Sequence, residues 1–287
     1  MGFVTRGPTD ILDNPGSAVT GQNIEDYQRD GVVCVRGAIS SEWIERLRPA
    51  ADWVQANPGP YDGDISAGAK GQFYGGQFMW RRDVTFREFI LNGAAAAIAH
   101  RLTGAPEIRL FYDFLLTKEA GAGNPTPWHQ DRLYYPLAGD GADHICSTWI
   151  ALDPMTLKSG AVEYIKGSHA WGKHFAPASF NDDGRYGGLD IEAIPDVEGN
   201  RGDYDIVNFD LEPGDCVAHH VMAVHGAPEN NADIRRRGLS IRWLPGKATY
   251  DPREETQHQL MAALGEGPDK FEAGETIDGD NFPLFRF

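Results

Sequence analysis

The pattern of the chain changes at Pro106. Before it, apolar residues recur at helical spacing. After it come six short runs rich in β-branched and aromatic residues, at 108–117, 144–152, 161–165, 205–211, 216–224 and 238–244, separated by Gly, Pro, Asn and Asp. No regular helical pattern lies between these runs. Parallel strands need a long crossover, usually a helix, so a doubly wound parallel sheet is excluded. An α+β fold, mainly β, is expected: a jelly-roll or sandwich of antiparallel strands with supporting N-terminal helices packed on one sheet.

The helical part can be read through its punctuation. Residues 1–19 read as an arm. Thr20 caps a short helix that runs to Arg29 and stops at Gly31. Val32 to Val35 is β-rich, and Ser40 or Ser41 opens a second helix on which Trp43, Ile44, Leu47, Ala51 and Val54 share a face. Pro49 marks a kink or break within it. A third, Ala-rich helix is expected over 86–102, ended by Gly104 and Pro106. Between the second and third lies a Gly-rich aromatic stretch, 60–80, which reads equally as a pocket wall or a pinned surface loop. Its Phe73, Tyr74 and Phe78, with Tyr134 and Tyr135 further on, are candidate substrate-pocket residues. The Asp/Gly-rich segment 175–204 is long for a connection and is a candidate lid. The tail 246–287 ends in an apolar run expected to dock on the body. A single domain over 1–287 is expected, with 20–105 mostly helical support and 106–245 the β core.

Charge and cysteines narrow the function. A formal net charge of −16, with one basic run at Arg235 to Arg237, disfavours nucleic acid and favours a small-molecule substrate. The three cysteines, Cys34, Cys146 and Cys216, form no Cys-x-x-Cys pair, so neither a disulfide framework nor a structural zinc site is indicated. No apolar run approaches membrane-spanning length, and a cytoplasmic location is expected. Nothing in the residues indicates an oligomeric state.

The chemistry-bearing stretch is Thr126-Pro127-Trp128-His129-Gln130-Asp131. In a strand, His129 and Asp131 project from one side, which supplies two of the three ligands of a two-histidine, one-carboxylate metal site. His219, His220 and His225 are the candidates for the third. His225 stands out because it ends an apolar run beside the turn residues Gly226 to Asn230. Downstream, Arg236, Gly238, Ser240 and Arg242 alternate with Leu239, Ile241 and Trp243. The polar set reads either as the solvent side of a strand or as a polar interior in which Arg236 grips a carboxylate. In the second case Gly238 leaves room for the bound molecule.

Taken in order, these motifs resemble the phytanoyl-CoA dioxygenase family of Fe(II)/2-oxoglutarate-dependent oxygenases. Pro-Thr-Pro-Trp-His-Gln-Asp at 125–131, Thr-Trp-Ile-Ala-Leu-Asp at 148–153, the stretch 159–169 ending in Gly-Ser-His, Pro-Gly-Asp at 213–215, and His225-Gly226 with Asn230 and Arg236 carry the resemblance. It implies a double-stranded β-helix, cupin-like, and catalysis by Fe(II) with 2-oxoglutarate and O2. It further implies His129, Asp131 and His225 as iron ligands, Arg236 as partner of the distal carboxylate of 2-oxoglutarate, and Trp149 as part of the cosubstrate pocket. Ala227 stands where the family often has a serine, and Ser240 is a candidate replacement donor. Lys166 stands where proline is common. Because Asp131 is present, hydroxylation or related oxidation is expected over halogenation. Two other readings fit the ligand types: a Zn2+ or Mn2+ hydrolase or isomerase, and a non-catalytic ligand-binding barrel.

Overall fold

Thr20 and Gly31 bracket the first helix as their chemistry dictates. The computed structural model describes residues 4–6 (backbone only), 19–66, 68–180, 186, 188–265 and 270–287. A short strand, β1 (Val4–Arg6), comes first. Helix α1 (Gly21–Asp30) opens with a capping box: the Thr20 hydroxyl accepts from Asn23 N–H at 3.1 Å, and Asn23 Oδ1 accepts from Thr20 N–H at 2.9 Å. Gly31 ends it at φ 73°. After β2 (Val32–Val35), α2 (Ser41–Ala56) buries Ile44, Leu47, Ala51 and Val54. The helix runs through Pro49, where a break was expected. Pro49 and Glu45 both lie on the exposed face, so water can satisfy the carbonyl that loses its partner.

The Gly-rich stretch resolves into β3 (Gly63–Asp64) and β4 (Phe73–Gln77), the latter wholly buried. Then come α3 (Met79–Arg82), α4 (Val84–Asn92) and α5 (Ala95–Thr103). The single helix expected over 86–102 is therefore two. At Gly93 the chain turns so tightly on the last turn of α4 that a Cβ would overlap the Phe89 carbonyl and ring.

The strands that follow are β5 (Glu107–Lys118), β6 (Thr126–His129), β7 (Leu137–Ala138), β8 (Cys146–Ala151), β9 (Glu163–Ile165), β10 (Ile206–Asn208), β11 (Cys216–His220), β12 (His225–Ala227), β13 (Arg236–Pro245) and β14 (Thr249–Tyr250); α6 (His258–Gly265) and β15 (Leu284–Arg286) close the chain. They form a nine-stranded sheet, ordered β1-β15-β5-β13-β8-β11-β2 with β4 and β3 added beside β5, and a four-stranded sheet ordered β10-β9-β12-β6. A small β14-β7 pair stands apart. The fold is mainly β with a helical layer, and the two sheets do not close into a barrel. At the tail, β15 pairs with β5, and Phe285 packs edge-on against Trp243 at 5.4 Å.

Strand β13 divides the interior. It pairs with β5 on one side and β8 on the other and is buried along its whole length. Leu239, Ile241 and Trp243 enter the core beneath the helices, with Ile44, Leu47, Phe89 and Ile98. Each is fully buried and contributes about 1.5–3 kcal/mol by leaving water. Arg236, Ser240 and Arg242 point the other way, into the space between the sheets.

The apolar run 216–224 was expected to be one strand, and it is not. β11 stays in the large sheet, the chain turns through Val221 to Val224, and β12 begins at His225 in the small sheet. Ser168 Oγ accepts from Val224 N–H at 2.8 Å and helps fix that crossing. All four turn residues are buried and apolar, so no Gly or Pro announces the change of sheet.

Candidate active site

His129 and His225 face each other across the β6–β12 pair, in register, with ring centroids 4.2 Å apart. Asp131 lies just beyond β6, at φ −71° and ψ −27°, so strand alternation does not bring it to His129. A turn does: Asp131 N–H donates to Val221 O at 3.1 Å, and Asp131 Oδ1 comes to 3.6 Å from His129 Nε2. One nitrogen of each histidine and one carboxylate oxygen all lie within 4.8 Å of one another, and all three residues are buried.

The tautomers are set by the backbone. His129 Nδ1 lies 2.7 Å from Pro127 O, and His225 Nδ1 lies 3.0 Å from Ala223 O. A carbonyl only accepts, so each Nδ1 carries a proton, and in the neutral ring that leaves the Nε2 lone pair facing the cluster. Burial, with the neighbouring His129, holds His225 well below the usual histidine range and therefore neutral. Burial alone would raise the Asp131 carboxyl, but His129, His219 and Arg242 outweigh it and keep it ionised, well below the usual range. Two imidazole nitrogens and one carboxylate oxygen converging in this way suit a divalent transition metal.

Arg236 lies in the same cavity, one per cent exposed. Its Nη2 donates to Gly160 O at 2.7 Å, while Nε and Nη1 have no partner among the described residues. Burial pushes the guanidinium down to about 10. A buried cation with two idle donors and no carboxylate is a site made for an anion brought from outside. Trp149 stacks against it at 5.4 Å. Gly238 serves that indole rather than the bound molecule: a Cβ there would overlap the Trp149 ring. Ser240 Oγ, also unpartnered and buried, lines the same cavity.

The cavity encloses about 200 Å³ between the sheets. His129, Asp131, His225, Trp149, Arg236 and Ser240 line it, as do Phe73 and Tyr134. Two pocket expectations are corrected. Tyr74 alternates to the opposite face of β4, where its hydroxyl donates to Asp62 at 2.6 Å beneath the helices. Phe78 packs on Tyr61 and Tyr112 and is not among the lining residues.

The segment after β9 is tied to the ligand stretch by the residues that alternate with the ligands. Trp128 Nε1 donates to Glu198 at 2.7 Å. Gln130 donates to Lys173 O at 3.2 Å and accepts from Phe175 N–H at 3.1 Å. The Tyr134 hydroxyl donates to Ala178 O at 2.6 Å and accepts Ala178 N–H at 2.9 Å. Phe180 packs edge-on against His129 at 5.0 Å. Within the candidate lid, residues 181–185 and 187 lie outside the described residues.

The sequence reading named His219, Arg242 and Tyr135 but missed that they converge on Asp131, and it missed Lys118 altogether. His219, weighed as a ligand, sits on β11 with Nε2 3.8 Å from Asp131 Oδ2, whereas its neighbour His220 alternates outward beside His144 and His169. Tyr135 and Arg242 also reach Asp131. Lys118, fully buried opposite Arg236 in the β5–β13 ladder, donates to Pro228 O at 2.8 Å, and burial with the Arg236 charge pushes it down to about 6. Its one sequence signal is a lysine that follows the largely apolar run Leu110 to Leu116.

Comparison with known proteins places this geometry. The model of the phytanoyl-CoA dioxygenase family matches residues 27–238. A probable phytanoyl-CoA dioxygenase of Caenorhabditis elegans is 24% identical over 256 residues, covering 79% of this chain and 76% of its own length. The multifunctional dioxygenase PrhA of Penicillium brasilianum is 25% identical over 237 residues, covering 79% and 73%. Among solved structures, the epimerase SnoN in complex with Fe3+, alpha ketoglutarate and nogalamycin RO superposes with a TM-score of 0.76 at 25% identity, over 92% of this chain and 97% of that one. The carbocyclase SnoK shares the fold, with a TM-score of 0.76 at 23% identity over 97% and 99%.

Proposed function

This chain belongs to the phytanoyl-CoA dioxygenase family and is an Fe(II)- and 2-oxoglutarate-dependent oxygenase, and we propose how its own residues divide that work. His129, Asp131 and His225 hold the iron. Arg236 binds the distal carboxylate of 2-oxoglutarate, with Lys118 behind it, Trp149 as a wall and Ser240 as a hydroxyl donor. The observation that carries this reading is the pair of idle Arg236 donors in the same cavity as the two-histidine, one-carboxylate cluster. When bound, iron with 2-oxoglutarate and dioxygen supplies the oxidising chemistry, releasing succinate and CO2 as a C–H bond of the substrate is oxidised.

The protein's part is placement and dryness. The backbone carbonyls of Pro127 and Ala223 keep both imidazoles in the ligating tautomer. The guanidinium of Arg236 orients the cosubstrate by its far end. Tyr134 and Gln130 draw the segment 173–180 over the cavity, which excludes water. Asp131 fills the place a halide would need, which supports hydroxylation or related oxidation.

Phe73, Phe114, Tyr134, Phe180 and Tyr186 form the apolar wall, and the arginines among the described lining residues are Arg236 and Arg242. We read the substrate as a neutral, largely apolar small molecule rather than a CoA thioester, whose phosphates want a basic rim. The facing sheets support a double-stranded β-helix, and 1–287 is read as one domain. Three free thiols support a cytosolic address; no described helix is long and apolar enough to cross a membrane.

The test is anaerobic. Adding Fe(II) and then 2-oxoglutarate should raise a visible charge-transfer band, and admitting O2 should release succinate. A protein that binds iron but shows neither band nor succinate refutes the cosubstrate assignment.

A further inference from the structure

Asp131 is surrounded unevenly. Its Oδ1 faces His129 Nε2 at 3.6 Å and has no hydrogen bond among the described residues. Its Oδ2 accepts from the Tyr135 hydroxyl at 2.8 Å and lies 3.6 Å from Arg242 Nη2 and 3.8 Å from His219 Nε2. These three groups arrive from separate elements: Tyr135 from the turn after the ligand segment, Arg242 from β13 and His219 from β11. All are at least nine-tenths buried.

They also hold one another. Arg242 Nε donates to the Tyr135 oxygen at 3.0 Å, which leaves that hydroxyl's own proton for Asp131. The Tyr164 hydroxyl lies 3.4 Å from His219 Nδ1. If it donates there, the His219 proton sits on Nε2 and points at Asp131 Oδ2. That nitrogen has no hydrogen-bond partner among the described residues. A buried carboxylate needs compensation, and donors that served only this need would divide between its oxygens. Here the one hydrogen bond, from Tyr135, falls on Oδ2, and the Arg242 and His219 nitrogens lie nearest that same oxygen, just beyond hydrogen-bond distance.

Resting on the iron-ligand reading above, we propose that Tyr135, Arg242 and His219 are positioning residues that confine Asp131 to single-oxygen ligation through Oδ1. Oδ2 is held by the protein and withheld from the metal. Held in this way, the carboxylate would offer a bound metal one oxygen and leave room beside it for the cosubstrate and dioxygen. None of the three belongs to the His129, Asp131 and His225 cluster, and each would act through Asp131. Such supporting groups typically change metal affinity by about 10–100-fold.

Tyr135→Phe removes one hydroxyl and keeps the ring. The expected result is Co(II) and Fe(II) binding weakened by about ten-fold or more, with a shifted charge-transfer band in the anaerobic Fe(II) and 2-oxoglutarate complex. Metal-free thermal unfolding reports whether the variant folds. His219→Gln retains an amide N–H donor and should keep most of the affinity, while His219→Ala should lose it. These two decide the matter if Tyr135→Phe fails to fold. Wild-type metal affinity and an unshifted band in Tyr135→Phe, or equal behaviour of His219→Gln and His219→Ala, overturn the proposal. The metal titration needs no cosubstrate, so a wild type that binds Co(II) without forming the band refutes the Arg236 assignment alone. A wild type that binds no metal overturns both.

Discussion

Replacing Arg236 by methionine separates a binding role from a structural one, because the two predict opposite effects on the ligand-free protein. Burial lowers the guanidinium from the usual arginine range to about 10, a penalty of about 3 kcal/mol on the charged form at every pH below that value. Against this stands its hydrogen bond to Gly160 O at 2.7 Å, a charged bond that contributes about 1.5–3 kcal/mol. Methionine keeps the apolar stem beside Trp149, so the two effects nearly cancel, and the ligand-free variant should unfold within about 1 kcal/mol of wild type. Cosubstrate binding should change completely. With redox-inert Mn(II) and 2-oxoglutarate at about a hundred times its dissociation constant, the wild type gains ~2.7 kcal/mol. For a chain of 287 residues that is a rise in Tm of about 5 °C. The variant should show Mn(II) stabilisation but no added shift from 2-oxoglutarate. A retained shift would remove Arg236 from the cosubstrate site. Loss of more than about 3 kcal/mol in the ligand-free variant would make it a structural residue whose idle donors are satisfied by other means.

Other expectations are narrower. His129→Ala or Asp131→Ala should abolish iron-dependent succinate formation while leaving the fold measurable by circular dichroism; full turnover in either would sink the ligand assignment. Gly238→Ala forces the Trp149 indole out of its place, and overpacking of this kind costs about 1–3 kcal/mol; 2-oxoglutarate KM should rise, and an unchanged KM with an unchanged Tm would contradict it. His220, pushed down to about 3 by burial and by His169 and His144, stays neutral in the fold while the unfolded chain takes up a proton near 6.5. Stability is therefore intact above 6.5 and falls as pH drops toward 3, by up to ~2 kcal/mol at pH 5. His220→Gln should flatten that acid limb in urea unfolding, and an equally steep limb would refute the attribution.

What could be read before the structure was what alternation and punctuation encode. The β13 pattern separated Leu239, Ile241 and Trp243 from Arg236, Ser240 and Arg242, because period two survives in a strand packed on both faces. Thr20 and Gly31 marked α1 because caps are local chemistry. What failed was non-local. The run before His225 changes sheets through buried apolar residues, so its composition is that of a strand. Tyr74 and Phe73 are adjacent and aromatic, and only the register of β4 sends one to the cavity and the other to the helices. His219, Tyr135 and Arg242 meet at Asp131 from distant positions, and no spacing in a single chain reveals that meeting. The His129/Asp131 pair was found for a reason that does not hold, since a turn rather than a strand brings the carboxylate round.

Trp128, Gln130 and Tyr134 fasten residues 173–178 and Glu198 to the stretch that carries His129 and Asp131. Anchors and ligands thus share a few consecutive residues, and neither can shift far without the other. Loss of a metal held by His129 and Asp131 is then expected to depend on how often this segment lets go. The rate at which a chelator strips the iron should track hydrogen exchange at the Phe175 and Ala178 amides, and Tyr134→Phe should speed both together. The residence time of such a metal would then depend on the fastening of a loop as well as on the ligands themselves.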